Sequence, residues 1–432
     1  MHAALTRADR KHRYGTPPGL AVKALIFDLD GTLYRNTLLD RRYAQALYHL
    51  IAERKHLSLT AARRLFSARY RELQERLGRQ PSKLFTLSRL GISDLEWAAV
   101  SGRVPIARFL RPDPRLRSVL TLLALRHRLG IVTNNHRRNT LATLRALGIQ
   151  DRFDEILTLS ESRRFKPAPE LYATMAERLG VDPQDCLSLG DRPDLDLVPA
   201  ARIGMHVHWV RALGDLYRLP GRVRARPARR FTLRSAASAR NASRAAAAAL
   251  QAGRLAVVPT DTVYGLAALP TPAAVRWLYR AKGRAEHQPL VLLAAEAGIV
   301  LRQARVSAQA RDLMARHWPG GLTLVLPARP GTPWGAVTRG GRSVAWRVPA
   351  NAWLRRLLAR VGGVLATTSA NPSGAPAPGT AQAVDERILA FAEVLVDGGP
   401  CPHARPSTVA KVSGRRLVIL RPGVVRLSAE RG

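Results

Sequence analysis

Four short apolar runs in the chain end abruptly in small polar residues. Ala24-Leu25-Ile26-Phe27 leads into Asp28-Leu29-Asp30-Gly31-Thr32, and Gly130-Ile131-Val132 into Thr133-Asn134-Asn135. Leu187-Ser188-Leu189 leads into Gly190-Asp191, and Leu255-Ala256-Val257-Val258 into Pro259-Thr260-Asp261-Thr262. Each run has the length and apolarity of a buried strand, and each meets its loop where α/β folds place ligands. Residues 37–130 read mostly as amphipathic helices, for example Arg41 to Lys55 and Ala61 to Leu77, with polar positions interleaved among Leu, Ala and Tyr. Strands alternating with helices predict a parallel sheet. Around Pro220-Gly221-Arg222 the pattern dissolves into Pro, Gly and Arg, which predicts a linker over 217–232. The Ala-rich stretch Ala236 to Leu250 then predicts a helix entering a second domain.

A chain of 432 residues is too long for one ordinary core, so two or three domains are expected. No apolar run approaches a membrane span, and the basic N-terminal segment 1–20, broken by Pro17-Pro18, reads as a disordered tail. A cytoplasmic protein without membrane association is the expectation. Cys186 and Cys401 match no metal-ligand or redox spacing and read as reduced bystanders. The net charge of +38 suggests a polyanionic partner, either tRNA contact or double-stranded RNA binding on a basic surface. Nearly all of that charge is arginine, however, as a biased genomic base composition would also produce. Lysine stands at only seven positions, so a lysine inside a motif, as at Lys166 and Lys282, points to a required compact charge.

Asp28 and Asp30 are two apart on an extended segment, so their side chains project to one side. Two such carboxylates can divide labour, one attacking phosphorus and the other protonating the leaving oxygen and then activating water. Their repulsion calls for Mg²⁺. Thr133 offers a hydroxyl, Lys166 a positive charge, and Asp191, Asp194 and Asp196 further acidic ligands. Each alone has a plain structural reading: a capping threonine, a solvated lysine, an acidic loop. The ordered set resembles the haloacid dehalogenase-like phosphohydrolases over about residues 22–215. The resemblance implies a Rossmann-like parallel sheet over 21–216 with a helical cap over about 36–125. It implies Asp28 as nucleophile and Mg²⁺ ligand and Asp30 as general acid/base whose backbone carbonyl joins the metal. Thr133 and Lys166 would hold the phosphoryl group. Asp191 would complete the metal site, with Asp196, or Asp194 in competition, as the second acidic position.

In the second domain, Lys282 and Arg284 are followed by Thr323, Ser369, Asn371, Ser407 and Arg421, an assembly of cations and small hydroxyl or amide donors suited to a triphosphate. No Walker loop is present, which excludes a P-loop NTPase. The Lys-x-Arg and Ser-x-Asn pairs look like those of the YrdC-type threonylcarbamoyl-adenylate synthases, over 233–430. The resemblance implies an open twisted α/β domain that uses ATP as substrate with L-threonine and bicarbonate. Its product, L-threonylcarbamoyl-AMP, would pass to tRNA threonylcarbamoyl-transfer proteins for the t6A modification of adenosine 37. It implies ATP binding by Lys282, Arg284, Thr323, Ser369, Asn371 and Arg421, and a threonine pocket shaped by Thr262, Tyr264 and Ser407. Ala285 and Gly321 stand where the family commonly has proline, departures that touch loop stiffness more than chemistry. The chain therefore reads as a bifunctional enzyme. The alternative is a C-terminal basic module that binds RNA or nucleotide without synthesis, which leaves the phosphatase as the only enzyme.

Overall fold

In the computed structural model the described residues are 15–284, 288–338, 340–413 and 416–427. The chain divides into two compact units between Arg226 and Pro227.

The first unit is built on a five-stranded, wholly parallel sheet. Its strands are β2 (Ala24–Phe27), β3 (Arg128–Val132), β4 (Glu155–Leu157), β5 (Cys186–Gly190) and β6 (His206–Trp209), in the order β4-β3-β2-β5-β6. The three central strands are buried along their whole length, because helices cover both faces of a parallel sheet. The loops after β2, β3 and β5 therefore emerge side by side at one sheet edge, carrying Asp28, Thr133 and Asp191.

Four helices follow β2: α1 (Thr37–Lys55), α2 (Leu59–Leu77), α3 (Lys83–Ser88) and α4 (Asp94–Ser101). Asn36, Ser58, Ser82 and Ser93 cap them in turn through their side-chain oxygens, with Glu96 closing a reciprocal box at α4. They share a small core of their own, including Leu47, Ile51, Phe66, Leu87 and Trp97. The next helix, α5 (Pro114–Ala124), was expected in the cap but belongs to the sheet. Its stripe Leu116, Val119, Leu120 and Leu123 packs into the core with Leu25, Leu129 and Leu187, so the separate helical layer ends near residue 101.

Two further expectations are corrected. Residues 1–14 of the predicted tail lie outside the described residues, but the part that follows is structured. Thr16 is buried, with its backbone N–H and Oγ1 3.2 and 2.9 Å from His208 Nδ1, and Leu20 opens strand β1 (Leu20–Val22). The predicted linker contains two strands. β7 (Val223–Ala225) pairs in parallel with β1, and β8 (Arg229–Thr232) pairs in parallel with β15 (Ala392–Asp397) of the second unit. In β7 exposed Arg224 separates buried Val223 from half-buried Ala225, whereas in β8 Arg229 and Arg230 precede half-buried Phe231 and pair with Glu393 and Asp397 of β15.

The second unit is a ten-stranded mixed sheet. Besides β8 and β15 it contains β9 (Leu255–Val258), β10 (Gly265–Ala268), β11 (Val291–Ala294), β12 (Leu322–Pro327), β13 (Ser343–Arg347), β14 (Val364–Ser369), β16 (Thr408–Ser413) and β17 (Arg416–Arg421). The order is β17-β16-β12-β13-β11-β14-β10-β9-β15-β8. Helix α6 (Ala236–Gln251) forms as the Ala run predicts, and its small side chains, among them Ala242, Ala246 and Ala249, join a core with Val258, Leu354 and Val394. The site residues come from strand ends and from the C-terminus of helix α7 (Pro272–Lys282).

Candidate active sites

In the first unit, β2 delivers Asp28 and then turns through Gly31, whose φ of +80° suits glycine. A Cβ at Gly31 would lie 2.3 Å from Asp191 Oδ2, so only glycine lets the Asp28 and Asp191 loops approach so closely. Lys166 Nζ bridges two carboxylates, 2.6 Å from Asp28 Oδ1 and 2.8 Å from Asp196 Oδ1; Lys166 and Asp196 are buried and Asp28 is half-buried. Thr32 donates to Asp28 Oδ2 at 3.1 Å, and the Arg192 backbone N–H to Asp196 Oδ2 at 3.0 Å. Carboxylate oxygens of Asp28, Asp191 and Asp196 lie within 4.8 Å of one another. Asp194, the competitor for that position, is exposed, whereas Asp196 is buried.

The Asp30 carboxylate stands apart from this trio. Tyr34 donates a short hydrogen bond to its Oδ1, and Asn135 Nδ2 donates to Oδ2 at 2.7 Å. Burial, then the Asp28 charge, raises its pKa against those bonds. Asp191 is pushed up to about 7, by burial first and then by Asp28 and Asp196. Lys166 is held well above its usual range because Asp196 and Asp28 outweigh its burial. Three hard oxygen ligands gathered this closely make a set that a divalent cation would complete, and they fit Mg²⁺. A cavity of about 470 Å³ opens here, lined by Asp28, Asp30, Thr133, Lys166, Asp191 and Asp196 together with cap residues. The sequence reading missed Tyr34 and Asn135. Asn135 stands beside Thr133 at a strand end, which is a readable signal; Tyr34 gives none.

In the second unit the Lys282 ammonium is held by Ser369 O at 2.8 Å, Ser369 Oγ at 3.2 Å and Asn371 Oδ1 at 3.0 Å. The Ser373 backbone N–H returns to Lys282 O at 2.9 Å, which fixes the helix end against the loop. Arg284 reaches Thr368 Oγ1 at 3.5 Å and Pro289 O at 3.1 Å. Arg421 Nη2 donates to Ser407 O at 2.9 Å and Ser407 Oγ at 3.1 Å, and Ser407 Oγ lies 2.8 Å from Thr323 Oγ1. Two of the expected clusters are thus assembled: Lys282 with Ser369 and Asn371, and Arg421 with Ser407 and Thr323.

The cations also act on one another. Lys282 falls to about 8, through burial and then Arg284, and Arg421 is lowered by burial and then by Arg347 and Arg284. Arg347 was not expected in the site. It is fully buried, donates to Thr262 Oγ1 at 2.7 Å and to Gly320 O at 2.9 Å, and lies 2.7 Å from Asp261 Oδ1 as an ion pair. An arginine closing the apolar run Val344-Ala345-Trp346 was the signal for it. Tyr264 is wholly buried, and its hydroxyl donates to Gly399 O at 2.7 Å and accepts from the Gly398 N–H at 3.0 Å. Gly321 admits the segment after β17, since a Cβ there would lie 2.2 Å from Val424 Cγ2. Ala285 lies outside the described residues.

Comparison with known proteins separates the same two regions. A haloacid dehalogenase-like hydrolase model matches residues 22–204, and the Sua5/YciO/YrdC model, described as telomere recombination, matches 248–423. The chain is 37% identical over 180 residues to the threonylcarbamoyl-AMP synthase of Bacillus subtilis (strain 168), covering 41% of this chain and 52% of that protein. It is 35% identical over 170 residues to the threonylcarbamoyl-AMP synthase of Stenotrophomonas maltophilia (strain K279a), covering 38% of this chain and 90% of the relative. The chain spans about half the length of the first of these relatives. Among solved structures, that of P. abyssi Sua5 complexed with L-threonine is 34% identical at a TM-score of 0.42, covering 45% of this chain and 57% of that one. A haloacid dehalogenase phosphatase from Thermococcus onnurineus is 27% identical at a TM-score of 0.37, covering 47% and 99%. The chain belongs to the Sua5/YrdC family through its second unit and carries a haloacid dehalogenase-like hydrolase domain in its first.

Proposed function

We propose that the second unit makes L-threonylcarbamoyl-AMP from L-threonine, bicarbonate and ATP, and that the first is a Mg²⁺-dependent phosphomonoester hydrolase. The observation that carries the synthase reading is the convergence of Lys282, Arg284, Arg347 and Arg421, all with proton affinities lowered by burial. Cations that lose hydration and crowd one another, as Arg284 crowds Lys282 and Arg421, favour a polyanion, and a triphosphate relieves both penalties at once. The threonine amine takes up the carboxyl carbon of bicarbonate with loss of water. The resulting carbamate oxygen attacks the α-phosphorus of ATP, the bond to the bridging oxygen breaks, and pyrophosphate leaves. Lys282, Arg284 and Arg421 balance the two anions, with Ser369 and Asn371 fixing the lysine; positioning and charge neutralisation dominate. Thr262, Tyr264 and Ser407 form walls for threonine, and Thr323 orients Ser407. The product would serve tRNA t6A37 modification through threonylcarbamoyl-transfer proteins.

In the hydrolase, Asp28 attacks phosphorus while Asp30, whose pKa is raised by burial and then by the Asp28 charge, gives its proton to the leaving oxygen. Asp30 then takes a proton from the water that opens the aspartyl phosphate. Thr133 and Lys166 hold the phosphoryl oxygens. A magnesium ion held by Asp28, Asp191 and Asp196 would balance charge at the transferring group.

Pyrophosphate release from ATP, with threonine and bicarbonate each present or omitted, tests the synthase. Release is expected to need both co-substrates and to fall at least about a hundredfold in Lys282→Ala, as for loss of one oriented charge in a catalytic site. Salt-dependent tRNA binding without threonine-dependent turnover would favour the binding-module reading instead.

A further inference from the structure

The cavity beside Asp28 has cap residues that the hydrolytic chemistry leaves unused. Asp40 and Tyr43, one turn apart on α1, and Lys83, at the start of α3, line the same 470 Å³ space as Asp28 and Thr133. Asp40 and Lys83 carry opposite charges into it, yet among the described residues neither side chain has an ion-pair or hydrogen-bond partner.

The segment leading into Lys83 is anchored from the catalytic side. Arg192, next to Asp191, donates through Nη2 to Gln80 O at 3.1 Å and Pro81 O at 3.2 Å, directly before Ser82 and Lys83. Its own backbone N–H donates to Asp196. Lys83 is one of seven lysines in a chain that otherwise uses arginine.

We propose that this site hydrolyses an O-phosphorylated α-amino acid, with Lys83 receiving the α-carboxylate and Asp40 the α-ammonium. The inference rests on the phosphatase reading above. With the phosphoryl group at Asp28, Thr133 and Lys166 and the ester oxygen at Asp30, the remainder of the substrate extends toward the cap. A neutral alcohol would leave Asp40 and Lys83 to water. An anionic leaving group would pair with Lys83 but face Asp40, and a cationic one would do the reverse; only a zwitterion meets both. The volume suits a small molecule. One water is consumed, the P–O ester bond breaks, and the products are the hydroxy amino acid and inorganic phosphate.

The test uses the full chain with Mg²⁺ and four substrates: O-phospho-L-serine, phosphoethanolamine, phosphoglycolate and p-nitrophenyl phosphate. Phosphoserine is expected to have the highest kcat/KM. Ratios within one preparation cancel any loss of folded protein. Lys83→Gln should lower the phosphoserine to phosphoethanolamine ratio by roughly ten- to a hundredfold, because only the carboxylate loses its partner. Asp40→Asn should lower the phosphoserine to phosphoglycolate ratio similarly. If p-nitrophenyl phosphate is hydrolysed but both ratios stay within about twofold of wild type, the amino-acid assignment is wrong while the phosphatase stands. If no phosphomonoester is turned over, and Asp28→Asn is indistinguishable from wild type, the phosphatase reading falls and the assignment falls with it.

Discussion

Lys282 titrates near the pH at which enzymes are assayed, which makes its role measurable. Its pKa of about 8 means that it is charged below that value and neutral above it. Triphosphate favours the charged form, so binding raises the pKa and takes up a proton once the free lysine has begun to lose its own. ATP affinity should therefore be flat below about pH 7 and fall above pH 8, by at most about tenfold per pH unit. Calorimetry at pH 8.5 in two buffers of different ionisation enthalpy should show net proton uptake, which Lys282→Met abolishes. Gly321 gives a second residue-scale prediction. An alanine there meets Val424 Cγ2, so Gly321→Ala should destabilise the second unit by about 1 to 3 kcal/mol in urea unfolding, with Val424→Ala in the same chain restoring most of it. The motif residues of both sites were legible because catalytic side chains at strand ends follow fixed spacings. Tyr34 was not, since a residue that positions another has no spacing rule. Nor was the reason for Gly321, which depends on a segment about a hundred residues downstream in sequence.

At the scale of elements, periodicity located α1 and α2 and alanine content located α6, but periodicity alone does not say which layer a helix joins. The α5 stripe has the same period as the cap helices, and only its packing against Leu25 and Leu187 shows that it belongs to the sheet. The β7 and β8 strands were hidden by arginine and proline, whose composition reads as linker, and each is too short to show a period of its own. Arg192 ties the loop after β5 to the segment before α3 by two hydrogen bonds. Its replacement by alanine should speed amide hydrogen exchange across α3, with exchange in α5 unchanged because that helix is held by the sheet. Equal protection of α3 in the two proteins would remove Arg192 as an anchor.

For the whole molecule, a net charge of +38 guarantees attraction to polyanions whatever the sites do. Binding to tRNA should weaken linearly in log–log against salt, losing about three orders of magnitude or more between roughly 50 and 200 mM if several phosphates are engaged. Heparin run beside tRNA tells general attraction from a dedicated surface: a common slope and similar affinity at matched charge would assign the binding to arginine content alone. Division into two units was legible from length and from the two separate motif sets. Their boundary, between Arg226 and Pro227, falls inside the linker expected over 217–232; what composition hid is that this segment is built of strands.

The order of strands in the second sheet has a consequence for synthesis. Its first strand, β8, pairs only with β15, and its last, β17, lies at the opposite edge. A ribosome that has made β8 must produce most of the remaining chain before the partner emerges, whereas the five-stranded sheet is complete before β8 is made. Contacts of such sequence separation form slowly. The nascent second half thus waits, with an unpaired arginine-bearing strand at its head, beside a first half whose sheet has already been fully translated.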